Sequence, residues 1–437
     1  MTARRPDGAD GRAAGAPVSR RAGLATAAAA LLTGATATAA SAAGPRPGSP
    51  ARPGAGPRGA PRTGPAARPG AGPRGRLQRD VDAVLAAGAT GVLAEVQTAG
   101  GRTTARAGRA DLSDPRGPVP WDAYYRIGSD TKTFTAVLAL QLVGEGRLAL
   151  TDTVERWLPG AVRGNGNDGR RITVANLLRQ TSGLNDYLAV SPDAADAFTP
   201  DGYRRSRFRT TSPEEQLRAA LTRPPLWLPE ADHPERERRW GYSNTNYVLA
   251  GLVVERATGN PWAQELHDRI IGPLGLRHTF TPGASPYVPA PTAAAYTWFP
   301  DCDRPTDTTL ASGGGADGSV ISTTHDHGVF LRALMAGRLL RPAQLAAMKE
   351  TVAAEGWSAA PGVRYGLGIA WRPVAGSRGG IWFHGGTHLG VVSESGVVPD
   401  GSRAVASAAF TLRMGDPAQD AQDAAGLRLV DRALTGR

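Results

Sequence analysis

Ser129-Asp130-Thr131-Lys132 opens a segment whose apolar residues recur at helical spacing as far as Gly144. The spacing predicts a helix with Ser129 in its first turn, so that Lys132 follows three residues later on the same face. The amino end of a helix favours a developing alkoxide, and a lysine shielded from water can lose its proton near neutral pH. These residues indicate a serine nucleophile beside a lysine base, although an ordinary helix can carry the same pattern by chance.

Lysine usage makes this interpretation more specific. The chain has 50 basic residues among its 437 residues, and only Lys132 and Lys349 are lysine. Arginine cannot act as a base in a protein, because its pKa stays above about 12. Nearly every basic position of this chain is arginine, but position 132 carries lysine, a group that is able to lose its proton.

A second motif, Tyr242-Ser243-Asn244, begins 110 residues after Lys132, before another segment with helical spacing. A phenol beside a lysine ammonium can pass a proton, and an asparagine amide can bind a substrate amide through both its donor and its acceptor. We therefore predict Tyr242 as a catalytic residue and Asn244 as a substrate-binding residue. The alternative interpretation is a polar turn that caps the helix.

The third motif is His384-Gly385-Gly386-Thr387, which follows a short strand-like run. Its glycines would let a substrate lie close to a strand edge, and a backbone N–H there could form an oxyanion hole together with that of Ser129. We predict His384, Gly386 and Thr387 as substrate-binding residues. A glycine turn between two strands is the plainer interpretation, and both can hold.

In this order, the three motifs resemble those of the serine penicillin-recognising hydrolases, which include D,D-peptidases, class C β-lactamases and related esterases. The resemblance runs from about Leu77 to the end of the chain and is strongest to the secreted D-alanyl-D-alanine carboxypeptidase branch. Supporting stretches lie at residues 126–129, 142–146, 182–184, 319–322 and 365–368. Such a family would use no metal and no organic cofactor.

The resemblance implies acyl transfer. Ser129 would attack an amide or ester carbonyl, Lys132 would accept its proton, and Tyr242 would relay a proton to the leaving group. Asn244 would hold the amide of the acyl side, and the N–H groups of Ser129 and Thr387 would bind the oxyanion. His384 stands where relatives have lysine or histidine, which implies a mild, titratable positive field.

A carboxypeptidase must also bind a terminal carboxylate. The resemblance places an arginine for this task on the strand that begins Tyr365-Gly366-Leu367-Gly368, at the position that Ala370 occupies in this chain. Arg372 lies two residues further along and hence on the same face of a continuous strand. We therefore predict Arg372 as a substitute anchor in the substrate-binding site.

The pattern of elements predicts a mixed α/β fold of the α+β type. Strand-like runs near residues 91–110 and 364–412 come from the two ends of the folded part, where helices are predicted at residues 77–87 and 417–434. Residues 150–350, in contrast, read mainly as helices and long loops. We expect one antiparallel sheet built from both chain ends, flanked by the terminal helices and carrying an inserted helical lobe, within a hydrolase domain at residues 77–437.

Residues 1–43 have the features of a cleaved export signal. A positive stretch ends in Ser19-Arg20-Arg21, an alanine-rich apolar run follows, and Ala40-Ser41-Ala42 fits a cleavage site. The paired arginines resemble a twin-arginine signal, with Sec export and a membrane anchor as the alternatives. We therefore expect a secreted protein.

Residues 44–76 are rich in proline, glycine and arginine, and they contain the nonapeptide ARPGAGPRG twice. We expect an extended linker there, with contact to an anionic cell-wall polymer as a second interpretation. Twelve arginines and two aspartates in residues 1–76 account for ten of the eleven net positive charges, so the basic composition does not indicate a nucleic-acid-binding domain. The only cysteine is Cys302, which excludes an intrachain disulfide, and we expect a monomer.

The sequence thus predicts a D-alanyl-D-alanine carboxypeptidase acting on peptidoglycan-type peptides. An esterase or a class C-like β-lactamase on the same site is the first alternative. A catalytically silent penicillin-binding or wall-binding protein is the second, and the presence of Ser129, Lys132 and Tyr242 argues against it.

Overall fold

A computed structural model of the chain describes residues 72–114, 117–191, 194–358 and 360–436. The predicted export signal and residues 44–71 of the predicted linker lie outside the described residues. Within the described part, no helix combines the length and the apolar character needed to cross a membrane.

The central element is a nine-stranded antiparallel sheet, counted over the described residues, in the order β2-β1-β15-β14-β12-β11-β10-β9, with β13 paired to β14. Strands from the two ends of the chain meet in this sheet, where β1 pairs with β15 next to the β2 edge. The strands are β1 (Gly91–Thr98), β2 (Gly101–Gly108), β9 (Val352–Ala353), β10 (Arg364–Tyr365), β11 (Ala370–Arg372), β12 (Ile381–Phe383), β13 (Gly385–His388), β14 (Val391–Val397) and β15 (Arg403–Ala409).

Shorter strands form small sheets away from this one. Tyr125–Arg126 (β3) pairs with Ile321–Ser322 (β8), and Arg163–Gly164 (β4) pairs with Asn167–Asp168 (β5). The remaining strands are β6 (Tyr296–Trp298), β7 (Thr306–Asp307) and β16 (Thr411–Arg413). The β3–β8 pair matters for function, because it fixes the chain immediately before Ser129.

Helices cover both faces of the large sheet. Pro73–Ala86 (α1) and Pro417–Thr435 (α14) pack on one face and enclose an apolar cluster that includes Val81, Val405 and Leu429. The others are α2 (Thr131–Gly144), α3 (Val154–Trp157), α4 (Val174–Arg179), α5 (Tyr187–Val190), α6 (Ala194–Ala197), α7 (Pro200–Ser206), α8 (Pro213–Ala220), α9 (Asn244–Thr258), α10 (Trp262–Leu266), α11 (Gly272–Leu274), α12 (Thr324–Met335) and α13 (Pro342–Met348).

The helix that follows Ser129, α2, is the core of the molecule. Eleven of its fourteen residues are buried, on every side of the helix, which is the pattern of a helix enclosed by other elements. The ring of Phe134 stacks on that of Phe330 of α12, with centroids 3.6 Å apart. The hydroxyl group of Thr133 donates to the Gly368 carbonyl, and that of Thr135 donates to the Ala316 carbonyl. These contacts hold the first turn of α2 rigidly beneath the site.

The predicted fold is confirmed: the sheet is antiparallel, it is assembled from both chain ends, and the terminal helices cover one face. Residues 150–350 are mostly helices and loops, with short strand pairs among them. The start of the first helix differs from the prediction, because α1 begins at Pro73, within the predicted linker. Proline is favourable in the first turn of a helix, where its missing N–H has no partner to lose.

A second difference bears on function. The predicted continuous strand at residues 364–371 is a hairpin, because β10 ends at Tyr365 and β11 begins at Ala370. Gly368 lies in the turn with φ +79°, and its N–H donates to the carbonyl of Leu178. This close approach of helix α4 ties the hairpin to the helical lobe.

Candidate active site

Ser129 lies in a single 3-10 turn, Gly128–Asp130, between strand β3 and helix α2. Gly128 and Asp130 are buried, whereas Ser129 is partly exposed. Gly128 has φ +54°, and a Cβ atom on it would lie 2.9 Å from the amide nitrogen of Thr387. A glycine is therefore required here both for the left-handed backbone and for the close approach of the third motif.

Lys132 is fully buried, and three oxygen atoms surround its ammonium group. Its Nζ atom donates to Ser129 Oγ at 3.0 Å, to Asn244 Oδ1 at 2.6 Å and to the Asp317 carbonyl at 2.6 Å. An ammonium group has three hydrogens, so this arrangement uses all of them. When Lys132 loses one proton, two donors remain for Asn244 and Asp317, and the free lone pair faces the hydroxyl group of Ser129.

Burial lowers the pKa of Lys132 to about 8, against the opposing fields of Asp317, Asp186 and Asp130. About a tenth of the Lys132 side chains are therefore neutral at pH 7, far more than for an exposed lysine. The group has both the position and the proton affinity that a base toward Ser129 needs.

Tyr242 occupies the other side of the nucleophile. Its hydroxyl group donates to Ser129 Oγ at 2.7 Å, and the Lys132 Nζ atom lies 5.0 Å from the centre of its ring. Burial raises the pKa of Tyr242 well above its ordinary value, so the phenol keeps its proton. A neutral phenol at this distance can donate a proton to a leaving group.

Asn244 begins helix α9 and is held at both ends of its amide. Its Oδ1 atom accepts from Lys132, and its Nδ2 atom donates to Asp186 Oδ2 at 2.8 Å. Burial raises the pKa of Asp186 to about 6, with the Asn244 amide among the groups that oppose the rise. One N–H and one lone pair of the Asn244 amide stay available by valence for a substrate.

The third motif forms the edge strand β13, which lies against the turn of Ser129. A Cβ atom on Gly386 would lie 1.8 Å from the carbonyl oxygen of Ile127 and 3.1 Å from the amide nitrogen of Ser129. The absence of a side chain is therefore what lets this strand approach the nucleophile. The backbone of Thr387 also lies close to Gly128, since a Cβ atom there would be 2.7 Å from the Thr387 carbonyl oxygen. The N–H groups of Ser129 and Thr387 are therefore neighbours.

His384 differs from the expectation of a titratable positive field. Its ring is buried, with Nε2 at 2.9 Å from the Tyr365 hydroxyl and Nδ1 at 2.6 Å from the Gly385 carbonyl. Burial lowers the pKa of His384 to about 3, with a smaller contribution from the charge of Lys132. The imidazole is therefore neutral at working pH, and it packs against Trp357 rather than presenting charge to a ligand.

Arg372 does not join the residues around Ser129. Its buried guanidinium forms an ion pair with Asp431 of α14, with Nη2 2.7 Å from Oδ1, and it lies over the ring of Phe383. The predicted substitute anchor is therefore corrected: Arg372 points to the layer of the terminal helices. The reason is that an acidic residue on α14 supplies the buried guanidinium with the counter-charge it needs.

The structure thus brings together Ser129, Lys132, Tyr242, Asn244, Gly386 and Thr387, with His384 behind them; the catalytic roles assigned to these residues remain predictions. Sequence reasoning missed Asp186 and the Asp317 carbonyl. Asp186 lies two residues beyond the supporting stretch at residues 182–184, and that proximity is the only signal that could have pointed to it. Nothing in the sequence around Asp317 distinguishes its carbonyl group from any other.

No group of three or more histidine, cysteine, aspartate or glutamate side chains converges into a metal-binding arrangement within the described ranges. The run His325-Asp326-His327 illustrates this. His325 contacts Glu95, Asp326 accepts from the backbone of His278, and His327 lies buried near Asp130.

Comparison with known proteins places this geometry in a family. The beta-lactamase family model matches residues 77–432. A D-stereospecific amidohydrolase from Streptomyces sp. has 35% sequence identity and a TM-score of 0.73, over 83% of this chain and 99% of that structure. A D-amino acid amidase from Ochrobactrum anthropi SV3, in complex with L-phenylalanine amide, has 26% identity and a TM-score of 0.67, over 82% and 96%.

Curated relatives match over shorter segments. Esterase EstB from Burkholderia gladioli is 35% identical over 39% of this chain and 41% of its own length. Penicillin-binding protein 4* from Bacillus subtilis is 27% identical over 39% of this chain and 33% of its own length. The chain thus spans well under half of these relatives. The family model nevertheless covers residues 77–432, well over half of the chain, and the chain belongs to the beta-lactamase family of serine hydrolases.

Proposed function

We propose that the chain is an exported hydrolase that cleaves amides or short peptides of D-amino acids through an acyl-enzyme on Ser129. The observation that carries the choice of substrate is the ion pair between Arg372 and Asp431. The Arg372 guanidinium is paired with Asp431 in the layer of the terminal helices, and Ala370 has no charge. Neither residue is therefore available to bind the terminal carboxylate of a peptide substrate. A substrate with a neutral leaving group, such as an amide, does not need one.

The relatives support this choice. The Streptomyces amidohydrolase is D-stereospecific and matches over nearly its whole length, and the Ochrobactrum enzyme is a D-amino acid amidase. In this chain the same chemistry would begin with proton transfer from Ser129 to neutral Lys132 and attack of Oγ on the carbonyl carbon. The N–H groups of Ser129 and Thr387 would bind the oxyanion, and Tyr242 would protonate the departing amine.

An aromatic cluster beside Tyr242 supports an apolar acyl side chain. Trp357 stacks on Tyr242 with an interplanar angle of 16° and centroids 6.0 Å apart, and Trp240 lies 6.3 Å from the same ring. Phe383 also stacks on Trp357, with centroids 5.8 Å apart. Trp357 and Phe383 are buried, whereas Trp240 and Tyr242 are partly exposed. An aromatic or branched apolar side chain would bury its surface against the two partly exposed rings, at about 25 cal/mol per Å² of apolar area.

A D-alanyl-D-alanine carboxypeptidase is the second candidate. Thr387 supplies a hydroxyl group at the third motif, and penicillin-binding proteins are among the relatives. This activity would require a cationic anchor other than Arg372. Esterase or β-lactamase action would use the same acyl-enzyme and differ in the leaving group.

A panel of substrates separates these activities. Turnover of D-phenylalanine amide, L-phenylalanine amide, an acyl-D-Ala-D-Ala peptide, p-nitrophenyl acetate and a chromogenic cephalosporin would be measured, with Ser129→Ala as the background. We expect the D-amide to have the highest kcat/KM among the amide and peptide substrates. A higher kcat/KM for the free-carboxylate peptide would favour the carboxypeptidase and refute the amidase.

Export is part of the proposal and rests on the sequence at residues 1–43. Cleavage near Ala42 would release a domain on a basic linker, whose arginines could contact an anionic wall polymer. Expression in a host with Sec and Tat pathways, followed by mass spectrometry of the protein from the medium, tests this. An intact amino terminus retained inside the cell would contradict it.

A further inference from the structure

Asp130 follows the nucleophile directly, and its side chain is buried with 1% exposure. It lies where a cap of helix α2 would be expected, but its carboxyl group makes no capping hydrogen bond to that helix. The side chain turns instead toward strand β14. A carboxyl group at this depth is costly to bury, so its partners indicate what it does there.

Two serines of β14 contact the two oxygens of Asp130. Ser393 Oγ lies 2.8 Å from Oδ2, and Ser395 Oγ lies 2.7 Å from Oδ1. The Nε2 atom of His327 lies 3.5 Å from Oδ1, and burial lowers the pKa of His327 to about 3, so this neighbour is neutral. The Asp130 carboxyl therefore meets hydroxyl groups rather than a cation in direct contact.

Strand β14 is also the strand that supports the third motif. Gly386 pairs with Ser393, and Gly385 pairs with Glu394. In addition, Ser395 Oγ lies 2.8 Å from the carbonyl oxygen of His384. Asp130, the residue next to the nucleophile, thus contacts strand β14, which in turn holds β13 and the second half of the predicted oxyanion hole.

The hydrogen bonds form a continuous chain when the carboxyl group is protonated. Burial raises the pKa of Asp130 to about 8, against the opposing hydroxyl contacts and the charge of Lys132. A neutral carboxyl can accept from Ser393 and donate to Ser395, and the single hydroxyl hydrogen of Ser395 is then free for the His384 carbonyl. Only in this arrangement do the Asp130 carboxyl group and the His384 carbonyl oxygen both have hydrogen-bond partners in this chain of contacts.

We propose that Asp130 is a positioning residue whose carboxyl group, acting through Ser393 and Ser395, fixes the turn of Ser129 against β13. The N–H groups of Ser129 and Thr387 then point to the same substrate oxygen. The inference rests on the acyl-transfer chemistry of the proposed function, but not on its amide substrate.

The test compares Asp130→Ala and Asp130→Asn in the full chain with p-nitrophenyl acetate, a small neutral ester. Loss of one oxyanion donor lowers kcat by about 10²–10³-fold, so a donor displaced by Asp130→Ala should lower kcat by about 10- to 100-fold. We expect KM to change by less than about threefold, because ground-state binding is unaffected. Asparagine offers one acceptor and one donor in the same shape, so Asp130→Asn should restore kcat to within about fivefold of the parent.

Serine variants provide a milder perturbation and a matched control. Ser395→Ala should lower kcat by about fivefold or more, and in combination with Asp130→Ala it should add little further loss. Ser407→Ala on β15 removes a hydroxyl of the same size on the opposite face of the sheet, where it contacts the Glu394 carbonyl, and should leave kcat unchanged. If Asp130→Ala melts below the assay temperature, the Ser395→Ala result decides.

Three outcomes would overturn the proposal: unchanged kcat in Ser395→Ala, an equal kcat loss in Asp130→Asn and Asp130→Ala, or fully additive losses in the double variant. Failure of the amidase proposal would look different. In that case the parent chain would cleave the ester but no D-amide, and the comparison of variants on the ester would still be valid.

Discussion

The Nζ atom of Lys132 lies 3.0 Å from the Oγ atom of Ser129, one helical turn away and fully buried. The two other hydrogens of the ammonium group point to the Asn244 side chain and the Asp317 carbonyl. When Lys132 loses a proton, its lone pair therefore faces the hydroxyl group of Ser129 and can accept the proton of that group.

Replacement of Lys132 by arginine should abolish most acylation even though it keeps the charge. Arginine cannot lose its proton, so a positioned base is removed, and general-base contributions are about 10²–10⁴-fold. The second-order rate of acylation by p-nitrophenyl acetate measures this loss. Lys349→Arg, at the only other lysine, is the matched control and should retain the parent rate. Activity within tenfold of the parent in Lys132→Arg would show that Lys132 is not the base.

The pH dependence of kcat/KM should follow the loss of a proton from Lys132. Only the neutral amine can accept the proton of Ser129, and burial lowers the pKa of Lys132 to about 8. The neutral fraction grows as pH rises, so kcat/KM should increase about tenfold per pH unit well below this pKa. Above it the rise should stop, and the ionisation of Asp130, whose pKa burial also raises to about 8, should lower kcat at higher pH. The midpoint belongs to Lys132 coupled with its neighbouring carboxyl groups. A profile that is flat from pH 6 to 9 would refute this assignment.

Titration of His384 should not affect the pH dependence of kcat/KM between pH 6 and 9, because burial lowers the pKa of His384 to about 3. Its protonated form is therefore absent across the measured range. His384→Gln is expected to leave the midpoint of kcat/KM in place, whatever it does to the maximal rate. A midpoint shifted by more than one pH unit would show that His384 carries charge in the working enzyme.

Removal of the Tyr242 hydroxyl group should affect amides more than activated esters. The hydroxyl donates to Ser129 Oγ at 2.7 Å and is placed to protonate a departing amine. Nitrophenolate leaves without help, so Tyr242→Phe should lower kcat by about 10²-fold or more on an amide and by less on p-nitrophenyl acetate. The ratio of the two losses is the measurement. Equal losses on both substrates would argue against proton transfer to the leaving group.

A methyl group on Gly386 should disrupt the site, whereas one on Gly385 should not. The added Cβ would lie 1.8 Å from the Ile127 carbonyl oxygen at position 386, but 3.6 Å from its nearest neighbour at position 385. Overpacking of this kind costs about 1–3 kcal/mol. We expect Gly386→Ala to lower both the melting temperature and kcat, and Gly385→Ala to behave like the parent. Similar behaviour of the two variants would contradict the close approach of β13 to the Ser129 turn.

Arg372 should matter for stability and not for substrate binding. Loss of one partner of a buried ion pair costs about 3–5 kcal/mol, and the partial exposure of Asp431, at 34%, reduces this to about 1–3 kcal/mol. Arg372→Met is therefore expected to unfold at lower denaturant concentration while KM for an acyl-D-Ala-D-Ala peptide stays the same. A large rise of that KM alone would restore Arg372 as a carboxylate anchor.

The sequence by itself determined the parts that depend on short-range order. Helical spacing predicted α2, and its predicted end at Gly144 agrees with the structure. The same periodicity put Ser129 and Lys132 on one helical face, and the order of the three motifs led to the correct family. These features follow from neighbours within a few residues of each other, which is why they can be read from one chain.

The tertiary structure alone decided which distant groups surround the site and which charges they keep. The Asp317 carbonyl reaches Lys132 across 185 residues, Ser395 reaches Asp130 across 265 residues, and Arg372 finds Asp431 in the last helix. Burial, which no local pattern measures, lowers the pKa of Lys132 into the useful range and makes His384 neutral. Desolvation and counter-charge depend on packing across the whole fold, so these properties could be assigned only after the elements had been assembled.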